Sequence, residues 1–255
     1  SGAYTVTAGG DVTDSDTVTV GGNLSVTTSA NDGLINMGTL EVDGTLALTT
    51  NGDGAATVVN DAAIEFAAST VGGALSATAT TGNITQSGAL AITGTSTLVT
   101  SADNATIDLK VDSITNAFTG ALLITTNDSG SDTAGDVSIH GGTTALVLGD
   151  STIDGDLTLT STATGAAGIT NNGTLNIRGT TTVSASGVDV TLNTTTNNFQ
   201  GAVAIDGVNV TVVDADNIML AASTVTGTYT LTAGGLVEDD NSGALAITGV
   251  TTIDA

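Results

Sequence analysis

The sequence predicts an all-β protein, folded as a right-handed parallel β-helix (β-solenoid) of about ten to twelve rungs with essentially no helix. Three observations predict this fold. Apolar residues alternate with threonine in short stretches, a glycine stands before many of these stretches, and whole segments return at long range. We therefore expect one continuous solenoid over residues 1–255 rather than separate domains.

The alternation predicts the strands. It is clearest in Tyr4–Thr7, Thr17–Val20, Leu157–Thr160 and Tyr229–Thr232. A period of two is typical of a strand with one buried face, and no stretch shows the apolar spacing of a helix. Aromatic residues make up only 2% and proline is absent. The core must therefore consist of Val, Ile, Leu, Ala and Thr, many of them β-branched and suited to strands.

The recurring glycines predict the stacking. A rung cannot bury its own apolar face, but the next rung can cover it, and glycine permits the bends at the corners. Parallel crossovers are usually right-handed, which gives the expected winding. A β-sandwich, the competing fold, would not place one strand motif at nearly fixed spacing. Eleven glycines mark the motif at a mean interval near 25 residues: Gly2, Gly22, Gly44, Gly73, Gly94, Gly120, Gly155, Gly179, Gly201, Gly227 and Gly249.

A longer repeat lies on top of the glycine pattern. Asn116–Ala121 returns as Asn197–Ala202, and Gly88–Gly94 returns as Gly243–Gly249. We expect a duplicated unit of about three rungs. The spacing is loosest around Asn127–Gly135, which predicts a protruding loop.

The two chain ends are also predicted to continue each other. Thr251–Ala255 resembles Thr181–Ala185, and Ser1–Thr7 resembles the adjoining residues 186–192. We therefore expect the chain to continue end to end, either with copies of itself or with adjacent repeats of the same polypeptide.

The charge excludes several partners. Twenty-six acidic residues face only Lys110 and Arg178, so the formal net charge is −24 with His140 neutral. Nucleic acid and anionic membranes would both be repelled. No cysteine is present, which excludes disulfides and thiolate metal sites. No apolar stretch approaches the length of a membrane helix.

Two stretches carry a resemblance to a known class of proteins. Residues 81–98 and 222–235 resemble the β-strand-repeat regions of filamentous-haemagglutinin-like exoproteins and other giant bacterial surface proteins. The resemblance implies a secreted or cell-surface β-helical shaft and brings no catalytic residues. The secretion-signal domain of such proteins is not recognisable here, so the export route stays open.

The sequence assigns no catalytic, cofactor-binding or metal-binding residue. The carboxylates of Asp154 and Asp156 are spaced as a pair, but glycoside hydrolysis also needs a sugar platform, and aromatics are scarce. His140 has no matching partner and is predicted to be a solvated turn residue. We predict no enzyme activity.

Calcium is the one cofactor that remains open. Acidic residues cluster within Asp11–Asp16, Asp154–Asp156, Asp214–Asn217 and Glu238–Asn241. Such clusters offer the hard oxygen ligands that calcium prefers, so weak calcium binding is an alternative. Asp and Asn also occur in turns for their own backbone hydrogen bonds, and this interpretation is favoured.

The expected function is a structural extracellular shaft or fibre segment of a bacterial surface protein, able to assemble end to end into filaments. The alternative is an adhesin module that recognises a host or glycan ligand through its loops. An aromatic or charged patch on the loop around residues 125–140 would favour the alternative.

Overall fold

The computed structural model describes residues 2–111, 113–130, 134–165 and 168–255. These residues form strands, turns and bends, with no helix among them. Every strand pairing in the described part is parallel, as Tyr4 with Leu24 and Leu231 with Ile253 illustrate. The prediction of a parallel β-solenoid is confirmed. Within the same described ranges, no helix exists that is long and apolar enough to cross a membrane.

The strands are short, because each turn is divided by several corners. In chain order they are β1 (Tyr4–Ala8), β2 (Val12–Thr13), β3 (Val18–Val20), β4 (Leu24–Asn31), β5 (Ile35–Val42), β6 (Thr45–Asn51), β7 (Ala56–Asn60), β8 (Ile64–Phe66), β9 (Ser69–Val71), β10 (Leu75–Ala79), β11 (Ile84–Gln86), β12 (Leu90–Ile92), β13 (Ser96–Asp103), β14 (Ile107–Leu109), β15 (Ala117–Phe118), β16 (Leu122–Asn127), β17 (Val137–His140), β18 (Leu146–Leu148), β19 (Ser151–Ile153), β20 (Leu157–Thr160), β21 (Ile169–Asn171), β22 (Leu175–Ile177), β23 (Thr181–Ser184), β24 (Val190–Leu192), β25 (Asn198–Phe199), β26 (Ala202–Asp206), β27 (Val210–Asp214), β28 (Ile218–Leu220), β29 (Ser223–Val225), β30 (Tyr229–Ala233), β31 (Val237–Asp239), β32 (Leu245–Ile247) and β33 (Thr251–Asp254).

Two large sheets contain most of these strands. The main column of the first sheet is β1-β4-β6-β8-β11-β14-β17-β20-β23-β26-β28-β31, and β6 also starts a side column, β9-β12-β15. The main column of the second sheet is β2-β5-β7-β10-β13-β16-β18-β21-β24-β27-β30-β33. It has side strands β3, β19, β22 and β25, and β29 and β32 form a separate pair. Each main column holds one strand per turn, so the solenoid has about 12 turns, within the predicted range.

The number of residues in a turn varies while the strand pairing stays regular. Tyr4 pairs with Leu24, whereas Leu109 pairs with Ile139, so the second of these turns is half as long again as the first. Parallel strands keep a spacing of about 4.8 Å whatever the length of the connection between them. The 12 turns therefore form a rod of about 53 Å.

One hydrophobic core runs along the solenoid. The inward residues of every column join a single buried cluster of Val, Ile, Leu and Ala side chains. The three phenylalanines, Phe66, Phe118 and Phe199, are at most 1% exposed. The predicted alternation is confirmed in β20, where Leu157 and Leu159 are buried and the threonines between and after them are partly exposed.

The glycine series does not form a single column, contrary to the expectation of one rung per glycine. Gly44 donates its N–H to the carbonyl oxygen of Gly22 at 3.2 Å, and Gly94 donates to Gly73 at 3.0 Å. The first pair precedes strands of the first sheet and the second pair precedes strands of the second sheet. The interval from Gly44 to Gly73 therefore contains more than one turn, and the mean glycine interval overestimates the turn length.

Candidate functional site

Three of the four acidic clusters have carboxylates that bind the backbone of a neighbouring turn, whereas the carboxylates of Asp239 and Asp240 accept from backbone N–H groups two residues further on. Asp11 Oδ1 accepts a hydrogen bond from the N–H of Leu34 at 2.9 Å. Asp14 accepts from the N–H groups of Gly38 and Thr39, at 3.1 and 2.8 Å, and from the Thr39 hydroxyl. These bonds cross from one turn to the next. The carboxylates therefore stabilise the stacking of the turns. The sequence predicted backbone hydrogen bonds for these residues, but within their own turns.

The pKa of Asp14 reflects these bonds. Desolvation by burial acts to raise it, but the hydrogen bonds from Thr39 and Gly38 together outweigh that effect and lower the pKa below 3.8. Asp14 is therefore held ionised by donors of the following turn.

Asp154 and Asp156 do not face each other as a catalytic pair would. Asp154 Oδ2 accepts from the N–H of Asp128 in the preceding turn at 3.1 Å. Asp156 Oδ1 accepts from the N–H of Thr180 in the following turn at 2.7 Å. Their carboxylates are thus engaged in opposite directions along the solenoid. Among the described residues, no group of three or more His, Asp or Glu side chains is arranged to hold a metal ion.

Arg178 reaches the segment that was predicted to protrude. Its Nη1 lies 3.2 Å from Asp128 Oδ2, and its Nη2 donates to the carbonyl oxygen of Gly130 at 3.2 Å. The Asp128 side chain is only 2% exposed, so this ion pair is shielded on one side. Residues 128–130 are therefore tied to the solenoid wall; residues 131–133 of the predicted loop lie outside the described part of the chain.

The prediction that His140 is a solvated turn residue was wrong. His140 ends β17 and is 7% exposed. Its Nδ1 lies 3.2 Å from the carbonyl oxygen of Ile114, 26 residues earlier in the preceding turn. The glycines after it made the position resemble a turn, but this contact buries the ring.

His140 adjoins a buried polar network that the sequence did not reveal. Asn116, which is 0% exposed, donates from Nδ2 to Gln86 Oε1 at 2.9 Å and to the carbonyl oxygens of Leu109 and His140, both at 3.2 Å. Its Oδ1 accepts from the N–H of Leu90 at 2.9 Å. The amide thus pairs backbone groups that a corner would otherwise leave without partners.

A second network repeats the first on the other sheet. Asn197 is also 0% exposed, and its Oδ1 accepts from the N–H of Leu175 at 3.0 Å and from Asn171 Nδ2 at 2.8 Å. Asn116 precedes β15 in the first sheet, while Asn197 precedes β25 in the second sheet. The return of Asn116 as Asn197 was the sequence signal for this pair, but its burial was not predicted.

Three buried serines show the same change of sheet. Ser69, Ser151 and Ser223 begin β9, β19 and β29. Each hydroxyl donates to the carbonyl oxygen two residues before it, at 2.9, 3.1 and 3.0 Å. Each also accepts from a backbone N–H of the preceding turn, at 3.0, 3.2 and 2.9 Å. Ser69 lies in the first sheet and Ser151 in the second.

The repeat therefore takes three and a half turns instead of the expected three. The strands β7, β17 and β27 are equivalent strands of successive copies of the repeat. They begin at residues 56, 137 and 210, and they lie in the second, first and second sheets. From β7 to β27 the second sheet makes seven steps, so an average turn is shorter than the glycine interval. Two successive repeats complete these seven turns, so one repeat takes three and a half turns. Equivalent strands of neighbouring repeats therefore lie half a turn apart, in opposite sheets.

Residues 2–52 belong to a further copy of this repeat. In both β4 and β13 a buried threonine donates to the carbonyl oxygen five residues on, Thr28 at 2.9 Å and Thr100 at 3.2 Å. The turns after these strands carry Asp32 at φ 61° and Asn104 at φ 62°. β4 lies in the first sheet and β13 in the second, as the half-turn rule requires.

The same equivalence corrects the expected alignment of the chain ends. Residues 2–10 correspond to residues 227–235, and both segments read Gly-x-Tyr-Thr-(Val/Leu)-Thr-Ala-Gly-Gly. Tyr4 and Val6 pair with the inward Leu24 and Val26. The expected alignment with residues 186–192 would instead have matched them to outward positions, so it is one residue out of register.

Comparison with known proteins identifies the same repeat. A family model described as Repeats of unknown function (DUF5649) matches residues 53–125, 134–206 and 207–255. The first two matches begin at residues 53 and 134, which is the same offset as that between Asn116 and Asn197. No curated protein and no solved structure matches the chain. The comparisons support a repeat-rich β-solenoid protein and do not link it to filamentous haemagglutinin. Because the three matched segments cover well over half of the 255 residues, the chain belongs to the family of Repeats of unknown function (DUF5649).

Proposed function

We propose that the chain is a segment of an extracellular shaft or fibre of a bacterial surface protein. The observation that carries this proposal is the unbroken stack of about 12 turns on one hydrophobic core. Each turn contacts only its neighbours, so such a structure extends in one dimension and is suited to spanning distance. The resemblance to the strand repeats of filamentous-haemagglutinin-like exoproteins supports the same role and the surface location.

The proposed partners are further turns of the same kind, stacked on both ends. Tyr4 is 55% exposed at one end, and Ile253 is 48% exposed at the other. These positions belong to columns whose members are buried in the middle of the stack. Adjacent repeats of the same polypeptide, or a second copy of the chain, would cover them and pair the open strand edges.

The surface charge supports a role without nucleic acid or anionic membrane as partner. A net charge of −24 keeps shafts soluble and repels polyanions. In this proposal the protein is not an enzyme, and its carboxylates hold turns together.

Electron microscopy with mass analysis tests the proposal. Negative staining of the purified chain should show straight rods or longer filaments. Denaturing mass analysis of the protein from its natural source then separates the two kinds of end-to-end partner. A 24.5 kDa species in filaments means assembly from copies, and a much larger species means adjacent repeats. Compact round particles under all conditions would contradict the proposal.

A further inference from the structure

The outward face of the second sheet carries almost no charge. We name the outward residues of its main column, up to the register shifts in β5 and β13, the threonine face. Glu41 and Asp103 lie beyond those shifts, and Asp254, at the last strand, is the one charged residue among the outward positions of the described column. The face consists of Thr13, Asn36, Thr57, Val59, Ser76, Thr78, Thr97, Val99, Leu123, Thr125, Val147, Thr170, Thr191, Thr211, Val213, Thr230, Thr232 and Thr252.

The acidic residues lie elsewhere on the molecule. The corresponding outward positions of the first sheet include Glu65, Asp108, Asp206 and Glu238. Many of the remaining carboxylates lie at the corners. In a chain with 26 acidic residues, a face without charge over eleven turns is a distinct surface.

The threonine face is regular as well as uncharged. Thr170, Thr191, Thr211, Thr230 and Thr252 pair directly with one another in successive turns. Their side chains therefore repeat at the strand spacing of about 4.8 Å. The members of the face are small or β-branched, with few exceptions, so they form a surface of low relief on which a second sheet can pack.

We propose that the threonine face packs against the threonine face of a second copy, so that two shafts lie side by side. The inference rests on the proposed function, because lateral pairing is a property of shafts. Sheets pack face to face at about 10 Å. A face about 53 Å long and about 13 Å wide covers roughly 700 Å², close to the ~800 Å² per partner of a standard interface.

The charge distribution selects this face for the contact. Any contact between first sheets would bring carboxylates of like charge together, whereas contact between threonine faces leaves them at the rim. Two chains of net charge −24 still repel each other through solvent. Salt screens that repulsion, so pairing should strengthen as ionic strength rises.

Small-angle scattering combined with sedimentation tests the geometry. In salt on the order of 0.5 M, we expect a species of twice the mass with a larger cross-section and unchanged length. An end-to-end pair would instead have twice the length and an unchanged cross-section. That result would overturn the lateral contact and leave the proposed function standing, and so would a species that remains monomeric at every salt concentration.

A matched pair of variants tests the face. The double replacement Thr191→Glu and Thr211→Glu puts two charges on the threonine face, in the ninth and tenth of its twelve strands, and should abolish the pair. The control is the double replacement Thr158→Glu and Thr182→Glu, which puts two charges on neighbouring turns of the first sheet and should leave the pairing of the two copies intact. Circular dichroism checks that both variants fold. Equal pairing in both variants, or equal loss, would overturn the assignment. The chain could instead stay monomeric and adsorb to a solid neutral polysaccharide. If only the first variant lost that adsorption, the threonine face would bind polysaccharide, and the proposed pairing of two copies would be overturned.

Discussion

Asp214 lies where Asn60 lies seven turns earlier in the same column of the second sheet. Asn60 Oδ1 accepts from the N–H of Val42 at 2.9 Å, and Asp214 Oδ2 accepts from the N–H of Phe199 at 2.8 Å. Both residues are 2% exposed. The repeat thus places an amide and a carboxyl group in the same buried environment, and the two differ mainly in charge.

The replacement Asp214→Asn should increase stability near neutral pH. Desolvation by burial raises the pKa of Asp214 above 3.8, although hydrogen bonds from Asp216 and Phe199 oppose the increase. Between 3.8 and the raised pKa, the folded chain holds a proton that the unfolded chain has lost. Stability therefore falls as the pH rises through this window and is level above it. An amide avoids this cost and can keep the bond from Phe199, while the N–H of the exposed Asp216 turns to solvent.

Urea unfolding at a series of pH values measures this effect. The advantage of the variant should shrink as the pH falls towards 3.8. The control Asp61→Asn changes an exposed carboxylate and should show no such pH-dependent gain. Parallel pH profiles for the wild type and Asp214→Asn would contradict the prediction.

Asn116→Ala should destabilise the fold by about 2–3 kcal/mol, because buried groups lose their partners. The N–H of Leu90 loses its acceptor, and the carbonyl oxygens of Leu109 and His140 lose a donor. Denaturant unfolding gives the free energy. Asn176→Ala, at a half-buried position, should stay within about 0.5 kcal/mol of the wild type. An equal decrease in the free energy of unfolding in the two variants would show that the buried network does not contribute to stability beyond an ordinary half-buried asparagine.

Gly94→Ala should destabilise by about 1–3 kcal/mol through steric overlap. A Cβ at this position would lie 2.5 Å from the carbonyl carbon of Gly73 and 2.6 Å from the nitrogen of Ala74. Both contacts are with backbone of the preceding turn, which cannot move without breaking the strand ladder. At Gly10 a Cβ meets nothing within 4 Å, so Gly10→Ala should be neutral. Thermal melting compares the two, and a stable Gly94→Ala variant would argue against such close stacking.

Salt should raise the melting temperature, and calcium should act no differently from magnesium at equal ionic strength. The net charge of −24 produces repulsion that any salt screens. Several carboxylates of the acidic clusters, such as those of Asp11 and Asp156, already accept backbone N–H groups. Calorimetry with chelator, then with each ion, provides the measurement. A larger gain with calcium would show a bound calcium ion.

Local sequence pattern predicted the strands and the solenoid, because each strand must bury one face whatever its neighbours are. The phase of the repeat could not be predicted in the same way. Strands of both sheets have the same alternation of apolar and polar residues, so the local sequence does not show to which sheet a strand belongs. The half-turn shift is seen only in the strand pairings, such as Leu75 with Ser96 in the second sheet and Leu157 with Thr181 in the first.

The buried polar residues and the threonine face escaped prediction for a related reason. His140 and Asn116 become buried through carbonyl oxygens and amides of other turns, 24 to 30 residues away in the chain. The threonine face depends on which outward residues share a sheet. Thr158 and Thr230 look alike in sequence, yet they lie in different sheets.

The half-turn phase has a consequence for how such shafts can change in length. Insertion or deletion of one repeat would rotate all the following turns by half a turn about the axis of the shaft. Residues on one side of the shaft would then lie on the opposite side. Insertion or deletion of two repeats would restore the original orientation. Copy number therefore controls the direction in which a distal part points, and odd and even numbers of repeats are not interchangeable.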